Sequence, residues 1–147
     1  MKPMKMYAAT KSISLVIILL FTIVAVQSCS HKIAFATSSV VPAAQGSVKV
    51  NKDNNKNYNI DLNVMRLADP KRLNPPKQVY VVWMDTESNG TKNLGQLKTS
   101  TGLFSSTLKS SLKTVTPYKP VRIFITAEDN ADIQYANGQM VLNTSNF

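Results

Sequence analysis

The chain has one cysteine and one histidine in 147 residues, and only 8 acidic side chains against 17 basic ones. A single cysteine cannot close an internal disulfide, so any fold must stand on its apolar core. With one histidine, His31, the usual His/Cys zinc sets are excluded. A Ser–His or Cys–His nucleophile would need that imidazole inside a folded domain, whereas His31 follows directly on the N-terminal apolar segment. No glycine-rich phosphate loop appears among the five glycines, and no cofactor is implied.

What is present begins with a basic leader. MKPMKMYAATK carries Lys2, Lys5 and Lys11 without an acid, and ISLVIILLFTIVAV follows from Ile13 to Val26 with only Ser14 and Thr22 as polar members. This is the order of a secretory signal, a charged segment and then a short apolar one. A permanent bilayer span needs about 20 apolar residues, so the run is short for that role. Gln27 and Ser28 close it, and Cys29, the sole thiol, comes next.

Val26-Gln27-Ser28-Cys29 resembles the lipobox of a bacterial lipoprotein signal. The resemblance implies cleavage between Ser28 and Cys29, a diacylglyceryl group on the Cys29 sulfur and an acyl chain on its new amino terminus. One chain gives only marginal, reversible membrane binding at ~0.8 kcal/mol per buried methylene, whereas two or three make a lasting anchor. Three alternatives stand beside this reading: an uncleaved helical anchor over Ser12–Ser28, an ordinary secretory signal, and a buried core thiol.

Without residues 1–28 the balance is 14 basic to 8 acidic side chains, so the exported part keeps a positive charge. That charge suits anionic headgroups, acidic glycans or an acidic protein. Nucleic acid is a poor partner for an exported chain, and Lys49, Arg66, Lys71, Arg72, Lys92, Lys109 and Lys119 form no dense run. A solvated, mixed-charge surface is expected. Residues 30–46, SHKIAFATSSVVPAAQG, read as a flexible tether that begins at Cys29. Ser30 stands where, in some bacteria, an aspartate retains lipoproteins at the inner membrane. The expected place is therefore the cell envelope, at the periplasm-facing leaflet of the outer membrane.

Residues 47–147 make one domain's worth of chain. SVKVN (Ser47–Asn51) alternates, KDNNKN (Lys52–Asn57) is turn chemistry, and YNIDLNV places Tyr58, Ile60, Leu62 and Val64 on one face. The pair predicts a hairpin, with a bulge or strand end at Met65–Leu67. Three prolines make Ala68–Gln78 a connection. VYVVWM (Val79–Met84) is apolar on both faces and predicts a covered central strand with Trp83 as a core anchor. Asn89-Gly90 predicts a turn before LGQL (Leu94–Leu97); with Thr91 it also matches a glycosylation acceptor, but a bacterial export signal favours the turn.

Leu103–Val115 fits helical spacing through Phe104, Leu108 and Leu112, and strand alternation as well; its Ser/Thr content favours a strand with an irregular turn. PVRIFITA (Pro120–Ala127) and GQMVLNT near the end complete the set. About seven short strands and no amphipathic helix predict an all-β fold, an antiparallel β-sandwich.

From Val79 to Thr144 the chain resembles the extracytoplasmic C-terminal domain of anti-sigma-K-type factors. The resemblance rests on Tyr80-x-x-Trp83, Leu94-Gly95, Ile125-Thr126-Ala127-Glu128, and Gly138 before Met140-Val141-Leu142. It implies a β-sandwich outside the cytoplasm. The segment that sequesters a sigma factor has no counterpart here, and Asp129-Asn130-Ala131-Asp132 replaces the family's Gly/Pro-rich loop, so sigma-factor inhibition does not carry over.

Three groups of side chains qualify as sites. Glu128, Asp129 and Asp132 could offer oxygens to calcium, although their spacing matches no standard loop and a solvated turn is the plainer reading. With Asp85 and Glu87 they could also supply a glycosidase pair. Tyr118 and Tyr135, expected in loops, could stack on a glycan. The expectation is a lipid-anchored, non-catalytic binding or structural module. Its rival is a regulatory partner of a membrane signalling protein, and an enzyme built on these carboxylates is a third reading.

Overall fold

The computed structural model describes residues 32–101 and 108–147, with the backbone alone at 99–101. The chain is an all-β, antiparallel sandwich of two sheets. Its strands are β1 (Lys32–Ala34), β2 (Gln45–Lys52), β3 (Tyr58–Met65), β4 (Val79–Thr86), β5 (Thr91–Gln96), β6 (Lys98–Thr101), β7 (Leu108–Thr116), β8 (Pro120–Glu128) and β9 (Gln139–Asn143). The first sheet runs β1-β2-β3-β7-β6 and the second β5-β4-β8-β9.

Alternation in β3 sets the first sheet. Ile60 stands opposite Val50 and Thr114, and Leu62 opposite Val48 and Leu112, so one parity of all three strands turns into the core. Slipping the register by one residue would expose that whole apolar set. The expected phase break falls at Arg66, in the left-handed region at φ 58°. Its backbone N–H reaches Leu108 O at 3.0 Å, and Leu67 turns back into the core.

β4 is covered on both sides, as its composition predicts. Tyr80, Val82 and Met84 enter the main core with Ile123 and Ile125 of β8. Val81 and Trp83 point the other way and form a second cluster with Phe124, roofed by Ala131 and Ile133. Trp83 is thus a core anchor, fully buried, but of this outer cluster. The Asn89-Gly90 turn forms with Gly90 at φ 67°, a conformation that suits a residue without Cβ. Thr86 Oγ1 donates to Gly90 O at 2.7 Å and accepts from Asn89 N–H at 2.8 Å.

Two expectations are corrected. Residues 32–46 are not a tether: β1 pairs with β2, Ile33, Ser38, Val41 and Ala44 are buried, and Ala36 N–H bonds Asn143 O at 2.8 Å. The folded domain therefore includes residues 32–46 as well as those from 47 onward. A three-residue strand is too short for alternation to show. The count also rises to nine strands among the described residues, because LGQL does not end a strand cleanly. Leu97 N–H still bonds Tyr80 O of β4 at 2.9 Å, but Lys98 already faces Ser111 of β7, so the chain changes sheets at that corner. Within Leu103–Val115, the described part is strand, and 102–107 lie outside the described residues.

Candidate functional site

The predicted anchor residues Ser28 and Cys29, with His31, lie outside the described residues. The predicted carboxylates fall into separate structural roles. Glu128, at 3% exposure, closes β8 and is committed to the chain itself. Its Oε1 accepts from Thr126 Oγ1 at 2.6 Å, Gly138 N–H at 2.9 Å and Asn137 N–H at 3.2 Å. Thr126 Oγ1 in turn accepts from Trp83 Nε1 at 2.8 Å. This network and the paired bonds from Asn93 Nδ2 to Ala131 O (3.0 Å) and Ile133 O (2.8 Å) fold the β8–β9 connection over Trp83.

Asp129 is held by Lys77 Nζ at 2.7 Å, whereas Asp132 is exposed and its N–H bonds Asn130 Oδ1. Among the described residues, no group of three or more His, Cys, Asp or Glu side chains is placed to hold a metal ion. At the far end of β4, Asp85 accepts from Thr91 Oγ1 at 2.6 Å. Arg122 Nε lies 3.1 Å from its other oxygen, an ion pair without the alignment of a hydrogen bond. The guanidinium also covers Phe124, 4.9 Å from the ring centroid, and Phe124 stacks on Trp83 at 6.4 Å.

Glu87 pairs with Lys119 at 2.6 Å, and that hydrogen bond, with the Glu87 charge, raises the lysine pKa. Asp85 stands opposite Arg122 and Val79 opposite Glu128, so six residues of β4 separate the two carboxylates along the sheet. At ~3.3 Å per residue the gap is about 20 Å, beyond the ~5–9.5 Å of a glycosidase pair.

Tyr118 and Tyr135 are exposed in loops, as predicted, at 38% and 74%. Tyr118 lies in the β7–β8 turn beneath Lys92, whose Nζ is 5.3 Å from the ring centroid. Tyr135 lies in the β8–β9 connection, which leaves β8 from its other end. The two are not neighbours on one platform.

Register brings together what sequence distance keeps apart. On the solvent face of the first sheet, Lys32 stands opposite Lys49, Lys49 opposite Asp61, and Asp61 opposite Lys113. The next row is Ala34, Ser47, Asn63, Ser111 and Lys98. The third holds Gln45, Met65 and Lys109. Five lysines from four strands thus share one face with a single acid, Asp61, which Lys113 approaches at 3.4 Å. Among the described residues no carboxylate pairs with Lys32, Lys49, Lys98 or Lys109. Of the solvated, mixed-charge surface expected from sequence, this face is the lysine-rich part. Lysines at solvent-facing positions of alternating segments, such as Lys49 beside Val48 and Val50, were the available signal; the strand order that joins them was not.

A cleft of about 600 Å³ opens where the two sheets part, lined by Asp69, Lys71, Gln78, Tyr80, Gln96 and Lys98. The Tyr80 hydroxyl donates to Ala68 O at 2.9 Å, and burial, then the nearby Asp69 charge, push its pKa up to about 12. No helix of the described residues is long and apolar enough to cross a membrane. Comparison with protein-family models, curated proteins and solved structures returns no match for this chain.

Proposed function

We propose that this is a lipid-anchored protein of the bacterial cell envelope, cleaved after Ser28 and acylated on Cys29. Its β-sandwich acts as a non-catalytic binding or structural module on the periplasm-facing leaflet of the outer membrane. One observation carries the reading: Val26-Gln27-Ser28-Cys29 follows a basic and then an apolar segment, and the paired strand β1 is present from Lys32, only three residues beyond Cys29. Three residues reach at most ~11 Å, so acyl chains on that sulfur would hold the sandwich directly against the bilayer. Of the candidate catalytic carboxylates, Glu128, Asp129, Asp85 and Glu87 are engaged with Thr126, Lys77, Arg122 and Lys119, and Asp132 stands exposed.

Replacing Cys29 by alanine tests the anchor: the variant should leave the membrane fraction or accumulate unprocessed. Retention with an unchanged mass would return the reading to an uncleaved anchor. The second reading, a regulatory partner of a membrane signalling protein, draws on the open sheet face, which offers a lateral contact surface. A single membrane protein recovered in stoichiometric amount from solubilised envelope would favour it over a free-standing module.

A further inference from the structure

We infer that the outer face of the first sheet, carrying Lys32, Lys49, Lys98, Lys109 and Lys113, is a docking surface for anionic lipid headgroups. The inference rests on the proposed Cys29 anchor for its geometry and on the sheet register for its charge. β1 is both the strand nearest Cys29 and the edge of this sheet, and Lys32 itself belongs to the face. Of the two sheets, this one therefore starts within ~11 Å of an anchored sulfur.

The chemistry of the face fits a charged plane better than a shaped ligand. Lys32 and Lys49 stand directly opposite each other on neighbouring strands, an arrangement that repels unless an anion lies across it. Between the lysines stand the short side chains of Ala34, Ser47, Asn63 and Ser111, which let long ammonium stems reach past them to a common level. Five strands at ~4.8 Å spacing give a face about 20 Å wide, enough to meet several headgroups together. The surface potential of an anionic leaflet attracts each lysine by about a fivefold gain in partitioning. Asp61 stands between Lys49 and Lys113 and contacts Lys113, so it offsets one positive charge and the face keeps an excess of four.

The test uses the full chain, purified in detergent and reconstituted into phospholipid vesicles that either contain or lack anionic lipid. A water-soluble amine-acylating reagent is applied, and modification of each lysine is quantified by peptide mass spectrometry. Lys49, Lys98, Lys109 and Lys113 should label about fivefold more slowly on anionic vesicles, with the protection lost in high salt. Lys92 of β5 and Lys119 of the β7–β8 turn, which are not part of this face, should label equally on both. In the K49E/K109E/K113E chain, Lys98 should lose its protection.

Equal labelling of Lys49, Lys109 and Lys113 on both vesicle types overturns the inference, as does protection of Lys92 and Lys119 in their place. Protection by soluble polyglutamate with none on vesicles also overturns it and reassigns the face to an acidic polymer. Intact mass separates the two layers of the argument. Protection without acyl groups on Cys29 upholds the face and removes the anchor, whereas acyl groups without protection uphold the anchor and remove the face.

Discussion

Glu128 Oε1 and the backbone N–H of Gly138 lie 2.9 Å apart, and this contact seals the β8–β9 connection against the end of β8. The approach is so close that a Cβ on residue 138 would overlap the Ala127 carbonyl oxygen and come within 2.6 Å of Glu128 Oε2. Backbone atoms of a central strand cannot give way as a flexible side chain can. Gly138→Ala should therefore destabilise the fold by about 3 kcal/mol, read as a lower midpoint in urea unfolding. An unchanged midpoint would show that the connection is not seated as described.

Asn93 holds the other end of that connection through the carbonyls of Ala131 and Ile133. Replacing it by alanine leaves those two acceptors without their partner and should cost about 2 kcal/mol. Trp83 is the only tryptophan and lies beneath the connection, so its emission reports directly on the seal. Asn93→Ala should shift that emission to the red while the second sheet stays folded.

Tyr80 makes stability depend on pH at the alkaline end. Its folded-state pKa of about 12 lies above the ordinary 10.0, so the native state holds a proton that the unfolded chain releases first. Stability from this group is fully present below pH 10 and is lost as pH rises through about 12. The steepest fall is about 1.4 kcal/mol per pH unit. Tyr80→Phe should cost about 1 kcal/mol at neutral pH through the lost bond to Ala68 O. The variant should then lose stability less steeply than the parent between pH 10 and 12, measured by urea unfolding across that range.

Calcium should leave the melting temperature unchanged. Glu128 spends one carboxylate oxygen on three donors inside the fold, Lys77 neutralises Asp129, and Asp132 is exposed and forms no metal-holding group with them. Asp129→Ala should cost less than about 1 kcal/mol, because it removes only a largely exposed ion pair. A calcium-dependent rise in melting temperature that disappears in Asp129→Ala would reinstate the metal site.

The sandwich was legible wherever a strand was long enough to show its parity. Tyr58–Val64 alternates because one face is wet, and Val79–Met84 does not because the β8–β9 connection covers its second face. The Asn89-Gly90 turn was legible because its left-handed conformation favours glycine. β1 was hidden by its three residues, and β6 by following β5 with only Leu97 between them. At the candidate sites, the loop positions of Tyr118 and Tyr135 could be read from local turn chemistry. The role of Glu128 could not, since its donors at residues 126, 137 and 138 meet only after the connection folds back. The lysine face lay beyond reach for a similar reason: Lys32 and Lys113 are joined by strand order, not by any local pattern.

The anchor at Cys29 bears the most weight, and intact-mass spectrometry of the chain extracted from bacterial membranes tests it most directly. The predicted result is a polypeptide that begins at Cys29 and carries a diacylglyceryl group and an amino-terminal acyl chain. A chain that retains the residues before Cys29, or one with a free thiol at that position, would contradict the proposed function.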